Sequence, residues 1–185
     1  MSLPDLRHIL LLPLAVVLMG LSACGFSPVY APGGTGDALY GKVRIQSPED
    51  VRADSDVDAY HLVRNLEERL GRGDSNGVGG GYSLDLTLST RSEGQAITAD
   101  NATTRYSIVG TAGYVLTRQS DGVIVASGTE DAFTGYSATG STVETLAGER
   151  DAHERLMQIL ADQITARLFT TADLTPAASA DPVEG

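Results

Sequence analysis

The sequence predicts an α+β fold, a two-layer sandwich with two helices packed on one face of a four-stranded, mostly antiparallel sheet in the order β-α-β-β-β-α. Three observations predict it. Tyr82 to Thr90 alternates apolar and polar residues, setting Tyr82, Leu84, Leu86 and Leu88 against Ser83, Asp85, Thr87 and Ser89, the mark of a half-buried strand. Arg105 to Thr117 repeats the alternation through Tyr106, Ile108, Ala112, Tyr114 and Leu116. Two further stretches, ending near Leu70 and Phe169, carry apolar side chains at helical spacing on one face only. Such a helix must lay that face on another element, and a sheet with one apolar face supplies it.

The chain has 185 residues, 42% of them apolar and 20% charged, which suits one globular core. Its net charge is −11. With no Lys/Arg surplus to neutralise phosphates, a nucleic-acid partner is excluded. The single cysteine cannot form an internal disulfide, and no Cys/His cluster has zinc spacing, so neither metal nor cofactor is expected.

Taken in order, Tyr40 to Ile45 reads as a strand, with Val43 and Ile45 on one face and Lys42 and Arg44 on the other. Ser47-Pro48 breaks it. Ser55 to Asp58 is a capping start for a helix to Leu70, whose stripe is Ala59, Val63, Leu66 and Leu70, flanked by Tyr60 and Leu62. His61 falls on the wet face with Arg64 and Glu68, and Gly71 is placed to end the helix in a left-handed conformation. Arg72 to Gly81 is a connector; its glycines precede a strand and lack the Lys-Ser/Thr pair of a phosphate loop.

Gln119 to Gly122 supplies a tight turn, and Val123 to Tyr136 returns as the hairpin partner. Gly110, Gly113, Gly128 and Gly135 are expected at bulges or bends. Ser141 to Glu144 forms a capping box, and the helix behind it runs to about Phe169 on a stripe of Leu156, Leu160, Ile164 and Leu168, with Met157 and Ile159 beside it. Gly148 is the point at which this helix could kink or split. His153 lies near the stripe, packed or partly exposed.

The start of the chain is of another kind. Ile9 to Leu21 is thirteen almost wholly apolar residues behind a weakly basic start. A membrane-crossing helix needs roughly 20, whereas about 7 to 15 followed by small residues is the pattern of a cleaved secretory signal. The segment ends at Leu21-Ser22-Ala23-Cys24, which resembles the bacterial lipobox. A thiol can take a diacylglycerol as a thioether, cleavage before it frees an amine for a further acyl chain, and two or three chains anchor stably where one does not. Cys24 is therefore the expected lipidation site, carrying S-diacylglycerol and an N-acyl chain such as palmitate. Gly25 follows it instead of the Asp of an inner-membrane retention signal, which points to the outer membrane. The expected organisation is residues 1–23 as signal peptide, 24–38 as flexible tether, 39–170 as one α+β domain and 171–185 as a disordered, Ala/Pro/acid-rich tail.

Cys24-Gly25-Phe26-Ser27-Pro28-Val29-Tyr30 resembles the opening of the lipopolysaccharide-assembly lipoproteins, the LptE family, in its alphaproteobacterial branch. Phe133 to Tyr136, Glu149 to Arg155 and Ala161 to Ile164 resemble that branch's C-terminal region. The resemblance implies a non-enzymatic outer-membrane lipoprotein that plugs the β-barrel of LptD, assists its assembly and is a candidate binder of lipopolysaccharide. His153 stands where that branch is expected to carry an acid. If lipopolysaccharide is bound, local cations must meet its phosphates despite the acidic balance, and Arg91, Arg105 and Arg118, at strand ends or loop mouths, are the candidates.

Two other classes compete. An accessory lipoprotein of another envelope transport or secretion complex would share the lipobox and a small α+β domain. A hydrolase is disfavoured, because Ser137 in Gly135 to Gly140 is not centred at nucleophile-elbow spacing and the chain has only three histidines.

Overall fold

The computed structural model of the protein describes residues 28–48, 56–72, 81–97 and 103–175. Cys24, the signal segment, the Ser55 cap, most of the Arg72 to Gly81 connector and the last ten residues lie outside them.

The elements are α1 (Thr35–Leu39), β1 (Val43–Ile45), α2 (Asp56–Leu70), β2 (Tyr82–Ile97), β3 (Thr103–Arg118), β4 (Ile124–Ser137) and α3 (Thr142–Thr171). The sheet runs β1-β2-β3-β4, with β1 parallel to β2 and the other pairs antiparallel. This is the predicted α+β order with one short helix added. α1 falls where a tether was expected: Leu39 is fully buried, and Tyr30 meets Phe169 edge to face at 5.4 Å.

Even-numbered residues of the long strands face the helices. Leu84, Leu86, Ile108, Ala112, Tyr114, Leu116, Ala126 and Ala132 join Leu62, Leu66 and Leu70 of α2 and Leu156, Met157, Leu160, Ile164 and Leu168 of α3 in one core. α2 is wedged between the sheet and α3, so its buried arc runs Ala59, Leu62, Leu66, Leu70. Val63 is only partly buried, Tyr60 points outward, and Ile159 of α3 is likewise exposed.

Local signals work as their chemistry dictates. Gly71 (φ +74°) follows the end of α2, and Gly122 (φ +71°) closes the β3–β4 turn. Ser141 and Glu144 complete the reciprocal capping box of α3.

The glycines of the hairpin play another part. The register slips at Gly94/Ala96, Ala96/Ile97 and Leu116/Thr117, not at Gly110, Gly113, Gly128 or Gly135. Gly110 instead makes room for α3, since a Cβ there would sit 3.0 Å from Leu156 Cδ2 and 3.2 Å from Leu160 Cδ1. Gly128 clears the Tyr114 hydroxyl in the same way, at 2.6 Å. Gly148 does not split α3, which runs unbroken from Thr142 to Thr171; a Cβ there would lie 3.7 Å from Tyr136 Cβ.

Candidate functional surface

The alternation that buries even-numbered strand residues turns odd-numbered ones to the other face of the sheet, which the described helices leave open. Read across the register, its rows are Asp85-Val115-Ser127, Thr87-Gly113-Thr129, Ser89-Thr111-Asp131, Arg91-Val109-Phe133 and Glu93-Ser107-Gly135. Hydroxyls, acids and glycine dominate. Thr111 Oγ1 donates to Asp131 Oδ1 at 2.5 Å, and Gly113 leaves a dip between Thr87 and Thr129. Phe133, 74% exposed, is the one large aromatic among these rows. With 16 residues in β3, the face is roughly 50 Å long.

The three candidate arginines are not gathered into one site. Arg91 pairs across the sheet with Val109, four residues from Arg105 on β3, and both arginines lie on the open face. Arg91 bonds Glu93 at 2.8 Å, whereas Arg105 has no ion pair among the described residues. Arg118 sits about 43 Å from Arg105 along β3, at the other end of the sheet. It is engaged within the molecule, bonding Asp121 at 3.0 Å and the carbonyls of Asp173 and Thr175 at 3.3 and 2.7 Å. Residues 172–175, expected as disordered tail, thus close against the domain, and Asp173 N–H donates to the Val125 carbonyl.

The sequence did not show the partner of His153. Its Nδ1 lies 2.8 Å from Oδ2 of Asp58, a carboxylate only 2% exposed in the first turn of α2. Thr90 Oγ1 of β2 donates to the same carboxylate at 3.3 Å. The hydrogen bond that His153 makes to the Asp58 carboxylate raises its pKa, outweighing the burial that would lower it. The cluster joins β2, α2 and α3 at one point, and its residues are 95 positions apart in the chain for the His–Asp pair. It is a structural clamp: Thr90 donates to Asp58, not to the histidine, so the order of a nucleophile–base–acid relay is not present. Ser137 Oγ bonds Thr139 Oγ1 at 2.9 Å. The described residues hold no group of three or more His, Cys, Asp or Glu that could share a metal, and no described helix is long and apolar enough to cross a membrane.

No curated protein matches the chain. Solved structures share its fold. A lipoprotein from Caulobacter crescentus aligns with TM-score 0.56 at 18% identity, covering 75% of this chain and 95% of its own. The uncharacterized lipoprotein B from Nitrosomonas europaea aligns with TM-score 0.51 at 13% identity, covering 72% and 86%. The family model described as "LptE: Lipopolysaccharide-assembly" matches residues 40–168, from just before β1 to the last turn of α3. A match over every element of the sheet and both long helices shows that the chain belongs to the LptE family of lipopolysaccharide-assembly proteins.

Proposed function

We propose that the protein is an outer-membrane lipoprotein, anchored through acyl chains on Cys24, that serves lipopolysaccharide assembly as the plug and assembly partner of the LptD β-barrel. In this role it works by binding. Family membership over residues 40–168 carries the reading, and the open sheet face supplies a surface for it. The lumen of such a barrel is polar and wet. A long face of Ser, Thr, Asp and Gly can lie along it by hydrogen bonding, directly or through water, without leaving a greasy patch when free.

Lipopolysaccharide is a further ligand in this reading. Arg91 and Arg105 share the open face within about 14 Å along β3, and guanidinium groups meet phosphates through charge-assisted bonds. The test is photocrosslinking in cells. Probes at Ser89 and Thr129 are expected to label the barrel well above a probe at Arg64 on the outer side of α2, and probes at Arg91 and Arg105 to label lipopolysaccharide above that same control. Barrel labelling equal at Thr129 and Arg64 contradicts the plug orientation, and lipopolysaccharide labelling equal at Arg105 and Arg64 contradicts direct binding.

A further inference from the structure

One end of the domain concentrates apolar side chains on its surface. Val43, Tyr82 and Arg118 are cross-strand neighbours there, and Thr117 pairs with Ile124, so the start of β1, β2 and β4 and the finish of β3 share this edge. The helices finish at it too: Gly41 N–H donates to the Leu70 carbonyl, and Asp173 N–H to the Val125 carbonyl. Pro28 to Tyr30 enters here, with Tyr30 against Phe169. Tyr30 (60%), Tyr40 (58%) and Ile124 (60%) are largely exposed, with Val29 and Val123 beside them in sequence and also exposed. Lys42 and Arg44 lie two and four residues after Tyr40, and neither has an ion pair among the described residues.

Chain length says what lies opposite. Four residue steps separate Cys24 from Pro28, a reach of at most about 14 Å even when fully extended. If Cys24 carries acyl chains, its backbone is held at the lipid headgroups, and this end of the domain cannot stand clear of them. Tyrosine suits that layer, having an apolar ring and a hydroxyl for water or headgroup, and Lys or Arg beside it meets lipid phosphates.

We propose that this end seats in the headgroup layer of the phospholipid leaflet that holds the Cys24 acyl chains, with Tyr30, Tyr40 and Ile124 in the interface and Lys42 and Arg44 toward phosphates. The proposal rests on the lipoprotein reading above. Seating fixes the tilt of the sheet relative to the membrane, so the lipid is a second point of orientation and more than a leash. The sheet and α3 then rise from the bilayer, and Val143 near the start of α3 lies about 39 Å from Phe169 along the helix.

The chain contains no tryptophan, so single-tryptophan reporters are clean. The full-length acylated protein, carrying Tyr30→Trp, Tyr40→Trp, Ile124→Trp or Val143→Trp, is placed in vesicles of phosphatidylethanolamine and phosphatidylglycerol with brominated acyl chains. Val143 is the control, 76% exposed at the far end. Quenching at positions 30, 40 and 124 is expected to exceed that at 143 by at least roughly threefold, with blue-shifted emission. Circular dichroism confirms that each variant is folded, and three independent positions keep the test open should one fail to fold. Intact mass of the same sample separates the two readings. Acylated Cys24 with quenching no greater at 30, 40 and 124 than at 143 overturns the seating alone, whereas an unmodified Cys24 overturns the lipid anchor itself. Quenching of the lipoprotein that disappears once it is reconstituted with its barrel assigns this end to the protein partner and likewise overturns the seating.

Discussion

Asp58 and His153 tie the two layers together through a single buried carboxylate. Asp58 lies in the first turn of α2, where the helix dipole favours an anion, and it accepts from Thr90 of β2 while facing His153 of α3. Glu149 on α3 adds to the negative field around the imidazole. Removing the carboxylate leaves two polar groups without their acceptor, so Asp58→Ala is expected to lower unfolding free energy by about 2 kcal/mol, read from urea midpoints. The pair also sets a pH dependence. The folded-state pKa of His153 is raised, so its contribution is fully present below the ordinary histidine range and is lost as pH rises through the raised folded value. Wild-type urea midpoints should therefore fall from about pH 6 into the alkaline range, and His153→Gln should flatten that slope. An unchanged slope in His153→Gln contradicts the clamp. The partnership was not legible in the sequence because its halves stand 95 residues apart and each, read alone, looks like an ordinary helix residue.

At the scale of elements, what could be read ahead was whatever periodicity encodes. The alternation around Leu84 and Ile108 gave the strands, and the Leu156 to Leu168 stripe gave α3. β2 was expected to end at Thr90 but continues to Ile97. Alternation fades at Arg91-Ser92-Glu93-Gly94, where all four residues are exposed, and the strand is held there by its ladder to β3. Backbone hydrogen bonds leave no mark on side-chain pattern. The glycines differ from expectation for a related reason: composition shows that a side chain is missing, and only packing shows what fills its place. Gly110 and Gly113 give a direct contrast. Gly110→Val presses a branched side chain into Leu156 and Leu160 and should cost about 1 to 3 kcal/mol, with α3 displaced. Gly113→Ala meets only the Thr87 hydroxyl on the open face, at 2.5 Å, which a change of Thr87 rotamer relieves. Thermal unfolding of the two variants should separate them clearly, and equal losses would contradict the assignment of faces.

At the scale of the whole molecule, one face of the sheet builds the core, the other is a polar surface, and one end carries the chain toward Cys24. The family was legible in short motifs at Cys24 to Tyr30 and near the C-terminal helix, and the match over residues 40–168 shows it. That Arg105 and Arg118 stand far apart follows from the alternation read over Arg105 to Thr117, whereas the nearness of Arg91 to Arg105 was not legible, because it depends on the β2–β3 register. In the proposed lipid-anchored plug each feature would have a use: the open face for the barrel wall, the apolar end for the leaflet, the clamp to keep the layers in register. The most direct measurement is affinity purification of the tagged full-length protein from outer membranes in mild detergent, followed by mass spectrometry of its partners and of its own mass. The expected result is an LptD-type β-barrel as the principal partner and an acylated chain beginning at Cys24. Recovery with an inner-membrane ATPase complex and no barrel, or of a chain still bearing Met1 and a free thiol, would contradict the account.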